Sequence, residues 1–382
     1  YYVVFYFSKN YLSKKLSISK KLLLMHNTDK KNAQNIISKK KNFYTVNSKL
    51  KAYLVDYQRY TDIPLEYEDL KRYHFSTPLL NQNGEDTLWE SVYYTQMDME
   101  EIHSALIKMY VILKAAGDQT IAAHLHIEQV DYCTFGNSNP FRTKIVNNFN
   151  DNYDYFYVKI SDASRIYGLE LEHILSPNRI NYLVHNNTLI EEHIAGIPGD
   201  QFLEHQFSFA DTAFNETRIA KEFVKFNERC FVKLLGDMRS YNFVIDITPD
   251  FDNIQYRIRA IDFDQQCYEG SKKMYLPQFF KENLSYVKLC IKRMSKENVR
   301  QYQREERALI VSRIRTSRHR LNDLVVVLVK DRISTDEKVQ QLRDDLARHY
   351  QQPLFLKCKT MGQIVKVSLD IVFDTNVTSL HI

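Results

Sequence analysis

Between residues 127 and 161 lie three short runs, IEQVDYCTFG, FRTKIV and YDYFYVKIS, each rich in β-branched and aromatic side chains. They are separated by NSNP and NNFNDN. Asn, Asp, Pro and Ser favour tight reversals, since their side chains or rings supply the local hydrogen bonds and φ angles of turns. Three strands joined so closely predict an antiparallel meander, and few architectures accommodate one flanked by long helical stretches.

A helix is expected next over 163–175, with Ser161 or Asp162 as N-cap and Pro177 just beyond its end. INYLVHNNTLIEEHI supplies two more strands around an Asn-Asn turn, giving a five-stranded sheet with one helix after the third strand. A second helix is expected over 216–235, with Ile219, Phe223, Phe226, Cys230 and Leu234 on one face. NFVIDI and YRIRAIDF then read as a hairpin about TPDFDN, and beyond Gln265 the chain reads helical. Residues 25–123 read as a helical accessory region, most clearly where Ile102, Leu106, Met109, Tyr110 and Leu113 form a stripe that stops at Gly117. The Tyr, Phe, Lys and Ser bias of residues 1–24 suggests a non-native or disordered leader without the layout of a signal peptide.

Composition sets the bounds. The chain has 382 residues, 44% hydrophobic, with only 9 Gly and 8 Pro, which argues against long disordered or low-complexity segments. A net charge of +5 does not mark a nucleic-acid binder. Five scattered cysteines without a CxxC pair fit reduced thiols, and no run is long enough to span a membrane. A cytoplasmic protein without a membrane partner is the expectation.

Two stretches carry chemistry. LLGDMRSYNFVID places Asp237 five residues before Asn242, and YRIRAIDFDQQ ends a strand with Asp262, Phe263 and Asp264. Singly, each is an ordinary turn or strand end. In the order meander, helix, two strands, long helix, Asp/Asn loop, hairpin and Asp-Phe, residues 127–266 resemble the protein-kinase-like superfamily. The style is that of the aminoglycoside phosphotransferases and choline/ethanolamine kinases. The resemblance implies an α+β bilobal fold: a kinase-like N-lobe over 124–195, made of a five-stranded antiparallel sheet and one helix, then a mainly helical C-lobe over 196–382.

It also implies roles. Asp237 would be the catalytic carboxylate, and Asn242 and Asp262 the ligands of Mg²⁺. Lys159 would hold the phosphates of ATP, paired with Glu172 or alternatively Glu170. Gly136 and Ser138 would lie in the loop over the phosphates, and residues 191–194, including Glu192 and Ile194, beside the adenine. Leu235 stands where small-molecule kinases carry His, and Asp264 replaces the Gly of the Asp-Phe-Gly segment. These residue types suit phosphoryl transfer, which needs a cation on the phosphates, carboxylates for Mg²⁺ and a base for the acceptor. The expected activity is ATP- and Mg-dependent phosphorylation of a hydroxyl on a small molecule. A protein-modifying enzyme of the same fold, whether Ser/Thr kinase or AMP transferase, and a nucleotide-binding pseudokinase scaffold are the alternatives.

Overall fold

The computed structural model describes residues 41–81, 84–115, 117–135, 138–206, 215–250 and 253–379. The leader expected over 1–24, and Gly136, lie outside the described residues. Helix α1 (Ser48–Asp56) begins at Asn47, whose side-chain oxygen accepts the Lys49 and Leu50 N–H groups. Strands β1 (Phe75–Leu80) and β2 (Asp86–Tyr93) follow as an antiparallel hairpin, then helix α2 (Gln96–Ala115).

The meander is β3 (Leu125–Cys133), β4 (Phe141–Asn147) and β5 (Tyr153–Ile160), and helix α3 (Ala163–Leu175) comes next with the Asp162 side chain accepting the Arg165 N–H at its start. β6 (Tyr182–His185) and β7 (Thr188–Glu192) complete an antiparallel sheet of seven strands in the order β1-β2-β3-β4-β5-β7-β6. A smaller sheet joins β8 (Ile197–Pro198) to the hairpin of β9 (Phe243–Asp250) and β10 (Asn253–Ala260). Between β8 and β9 run α4 (Gly199–Gln206) and α5 (Glu216–Lys233), and after β10 come α6 (Leu284–Arg293), α7 (Lys296–Thr316), α8 (Arg318–Leu328), α9 (Asp336–Tyr350) and α10 (Met361–Ser379).

The α+β class is as expected, but residues 25–123 are not a separate helical region. TLWESVYY pairs as a strand with β3, Trp89 opposite Cys133 and Ser91 opposite Asp131, so the sheet has seven strands rather than five. The physical reason is joint burial. Val92, Ile102, Leu106 and Met109 share one core with Val130, Phe141, Phe156 and Ile190. The N-terminal hairpin therefore extends the sheet beyond β3, and α2 covers a face that the meander alone would leave wet.

The other face packs on α3, and α3 is buried along nearly its whole length. A helix apolar on every side belongs inside a protein, yet ASRIYGLELEHIL also carries Arg165, Glu170 and Glu172, all buried. A buried charge without partners is costly, so each must be answered by a neighbouring element. Glu170 receives hydrogen bonds from Tyr182 Oη (2.6 Å) and Arg320 Nη2 (2.8 Å) and one from Tyr53 Oη. Arg59 lies 3.5 Å from it through Nε, which ties α1, β6 and α8 to a single carboxylate.

Arg59 also contacts His173 Nδ1 at 3.2 Å. Burial, then Arg59 and Arg320, push this imidazole from the ordinary 6.5 down to about 4. A neutral ring can accept from Arg59, whereas a protonated one would set two cations together. Because the folded form binds this proton more weakly than the unfolded chain, stability contributed by His173 is complete above pH 6.5 and is lost towards pH 4. Thermal unfolding should show that loss, on the order of 2 kcal/mol with residual exposure taken into account. His173→Gln should flatten the profile over this range, with the remaining slope owed in part to His349, also held down at about 4. An unchanged slope would remove His173 from the account.

Candidate active site

Helix α5 ends on Leu234 in the left-handed region, φ 56°, and Asp237 three residues later has the same φ. Two non-glycine residues so placed, each strained by its Cβ, mark a loop held by its surroundings. The restraint comes from the segment after β10. Gly236 N–H donates to Gln265 O (3.2 Å) and Cys267 N–H to Leu234 O (2.9 Å), so the two chemistry-bearing stretches lie side by side. Within the loop, Asn242 Nδ2 donates to the Asp237 carbonyl (2.8 Å), and Ile261 N–H donates to the Asn242 carbonyl (3.0 Å). Asp237, Asn242 and Asp262 are thereby brought together.

Asp237 is partly exposed and accepts from Arg239 Nε at 2.7 Å, while Arg239 Nη1 donates to Glu282 at 3.0 Å. Burial raises the Asp237 carboxyl above its usual range even against Arg239, which makes it a better proton acceptor than a free aspartate.

Lys159 sits on β5 directly opposite Leu189 of β7, and Glu191, two residues further along, is on the same sheet face. Lys159 Nζ donates to Glu191 Oε2 at 2.7 Å. Arg165 of α3 grips the same carboxylate with Nε and Nη2, the latter at 2.9 Å, and its Nη1 donates to Asp262 (2.9 Å) and Asp264 (2.6 Å). Burial alone would raise the Glu191 carboxyl, but Arg165 and Lys159 hold it down at about 2. Burial and the adjacent Asp264 push Asp262 up, whereas at Asp264 burial pushes the same way but Arg165, Lys41 and Lys159 together hold the carboxyl low.

Helix α3 also presses on the Asp-Phe-Asp segment. A Cβ on Gly168 would stand 3.0 Å from the Phe263 Cβ and 3.1 Å from that of Gln266, and the Ser164 hydroxyl donates to the Gln266 carbonyl at 2.6 Å.

Several expectations change. Glu172 does not pair with Lys159. It binds Lys233 of α5 and accepts from Asn178 at 3.3 Å, and Glu170 faces α1, β6 and α8. Lys159 meets the first turn of α3, and Glu172 lies seven residues beyond Arg165, about 10 Å further along the axis. Glu192 is registered with Phe156, on the sheet face away from Lys159, and its side chain is held by Lys114 (3.1 Å) and the Asn181 N–H (2.8 Å). Strand alternation is the reason, and it leaves Glu192 only its main chain for a nucleotide. Ile194 is buried in the main core, and Ser138 is buried in the turn between β3 and β4. Leu235, in place of the expected His, is buried and bridges to Gln266.

Arg165 is the residue that sequence reasoning missed, as a cation one turn into a helix otherwise apolar on that side. A shelf of aromatic rings on the Lys159 face was also missed. Tyr157 Oη lies 3.2 Å from His193 Nδ1, and Trp89 stands 6.5 Å from the Tyr157 ring, with Arg142 over Trp89 at 4.7 Å.

Among the described residues no group of three or more His, Cys, Asp or Glu is arranged to hold a metal ion. Mg²⁺ asks for less, one or two protein ligands alongside phosphate oxygens and water. The bonds from Arg165 and from the Asp264 N–H both fall on Asp262 Oδ1, and the side chain is 34% exposed, so Oδ2 is available to a cation. Asn242 donates through Nδ2 and keeps Oδ1 as an acceptor. This donor set fits Mg²⁺.

In comparisons with known proteins, no family model matches the chain and no curated protein sequence matches it.

The Glu172–Lys233 pair should behave as a structural contact. Glu172→Gln strands a buried ammonium and should cost about 3–5 kcal/mol in urea unfolding. The double variant Glu172→Leu/Lys233→Met removes both charges and should recover most of that loss. A double variant as unstable as the single one would show that the pair itself, and not the orphaned charge, carries the energy.

Proposed function

We propose that this protein is an ATP- and Mg-dependent phosphotransferase of kinase-like, two-lobed architecture, acting on a hydroxyl of a small molecule. One observation carries the reading. An unbroken series of direct contacts runs from Lys159 through Glu191 and Arg165 to Asp262, and from Ile261 through Asn242 to Asp237. The groups that phosphoryl transfer requires are thus drawn from a strand, a helix and two loops into one frame. The strand order supports the same reading, since β3-β4-β5-β7-β6 with α3 between β5 and β6 is the lobe expected from the resemblance.

In this reading Lys159 holds phosphate oxygens of ATP, and Asp262 with Asn242 holds Mg²⁺, which supplies charge neutralisation at those oxygens when bound. Asp237 accepts a hydrogen bond from the acceptor hydroxyl and orients it. The hydroxyl oxygen bonds to the γ-phosphorus, the bond from that phosphorus to the bridging oxygen breaks, and ADP leaves with its electron pair. The hydroxyl proton passes to Asp237 Oδ, late in the step. Arg239, held 2.7 Å from Asp237, puts a cation beside the acceptor hydroxyl in this reading.

A non-catalytic nucleotide-binding protein is the second reading, favoured by the engagement of the Asp237 carboxylate with an Arg239 that Glu282 also holds.

Nucleotide at about 100 times its dissociation constant adds about 2.7 kcal/mol of stability. ATP should therefore raise the melting temperature of the wild type in a Mg²⁺-dependent way, and Asp262→Ala should lose that dependence. In ADP-release assays with a panel of hydroxylated small molecules, Asp237→Asn should lower turnover by about 10²–10⁴-fold while retaining the nucleotide shift. A shift without ADP release for any acceptor selects the second reading, and the absence of any shift rejects both.

A further inference from the structure

The resemblance assigns the middle of the site to a Lys–Glu pair and metal-binding carboxylates, with no place for a second buried cation. The structure has one. Arg165 is 3% exposed and makes four hydrogen bonds to three carboxylates from two elements: two to Glu191 on β7, and one each to Asp262 and Asp264 after β10. Its planar guanidinium suits this, because a fork of fixed donors meets one carboxylate with two bonds and still presents Nη1 to others. With the three carboxylates ionised, Lys159 and Arg165 leave the cluster at a net charge of −1. Without Arg165 it stands at −2, with two of the carboxylates two residues apart and, as the cations that remain nearby, Lys159 and a Lys41 that is itself paired with Asp162.

We infer that Arg165 is a fixed cation of this site: a positioning residue that stands between Asp262 and Asp264 where a mobile cation would otherwise be needed, and that couples both, through Glu191, to Lys159. Asp264 is the more buried of the two, its side chain 13% exposed against 34% for Asp262, so the second oxygen of Asp262 is the one that an exchangeable ion reaches. The site accordingly takes one divalent cation with its nucleotide, and its empty form is indifferent to divalent cations. The inference deepens the phosphotransferase reading and rests on it for the role of the nucleotide. The balance of charge around Arg165 stands apart from that reading.

The test uses divalent cations alone, without nucleotide, on the full chain. MgCl₂ and MnCl₂ are titrated into the wild type, Arg165→Met and Arg165→Lys during thermal unfolding, with NaCl at matched ionic strength as control. Arg165→Met should melt below the wild type and recover with either divalent salt. At about ten times the dissociation constant the rise should be roughly 2 °C. The wild type should show no such rise, and Arg165→Lys, which keeps the charge and loses the fork, should resemble the wild type in its indifference to metal. A metal response shared equally by wild type and Arg165→Met, or absent from both, overturns the inference.

If Arg165→Met does not accumulate as folded protein, the double variant Arg165→Met/Asp264→Asn carries the test. It removes the surplus carboxylate, so restored folding supports the inference and continued failure to fold overturns it. A separate titration of ATP at several Mg²⁺ concentrations should give one ion per nucleotide for the wild type and a steeper dependence for Arg165→Met. Should the wild type bind no nucleotide, the phosphotransferase reading falls, and the metal-only response still decides the role of Arg165.

Discussion

Helix α3 is the constraint on which the rest of the structure depends. It is buried on all sides and carries three charged residues whose partners come from separate parts of the chain. Arg165 is met by β7 and the segment after β10, Glu170 by α1, β6 and α8, and Glu172 by α5. A buried ion pair adds little net stability over a well-packed apolar pair, because desolvation offsets attraction. Losing one partner is far more expensive. The three charges therefore act chiefly as alignment marks, since an α3 rotated or shifted by one turn would leave all of them unanswered at once.

That alignment is what builds the candidate site. The Asp-Phe-Asp segment is pulled against α3 by Arg165 and Ser164 and seated close against Gly168, where a side chain would crowd Phe263 and Gln266. The Asp237 loop is then hung on the same segment by main-chain hydrogen bonds. Such an order of assembly makes loop geometry a property of helix packing. It also explains how two left-handed, non-glycine residues persist around Gly236. With its three carboxylates ionised the assembled cluster carries a net negative charge, so on the proposed reading a polyphosphate enters with its metal and not by attraction to the protein alone.

Much of the scaffold was legible locally. Helix α3 begins and ends where the Asp162 cap and Pro177 place it, and the three strands of the meander, ending at Cys133, Asn147 and Ile160, fall on the three runs from which they are read. The strand pair β1-β2 was not legible, because among its described residues a single apolar one, Val92, is well buried, which gives little alternation to read. It is a strand pair because β3 offers an edge to hydrogen-bond and α2 a surface to cover. In the site, the spacing of Asp237, Asn242 and Asp262 was visible, whereas the partner of Lys159 was sought on a helix and lies across the sheet.

The sequence by itself determined which segments are helix or strand wherever period and turn chemistry agree, and it placed Asp237, Asn242 and Asp262 in loops that follow a helix or a strand. Those properties depend on residues a few positions apart, whose geometry is set by φ, ψ and side-chain period. Only the tertiary structure decided the pairing of charges: Lys159 with Glu191, Arg165 with Asp262 and Asp264, Glu172 with Lys233. A charged side chain reaches several candidates of opposite sign within a few ångströms of conformational freedom. Which one it meets depends on how far along its axis one buried element lies against another, and the packing of α3 against the sheet and α5 sets that distance.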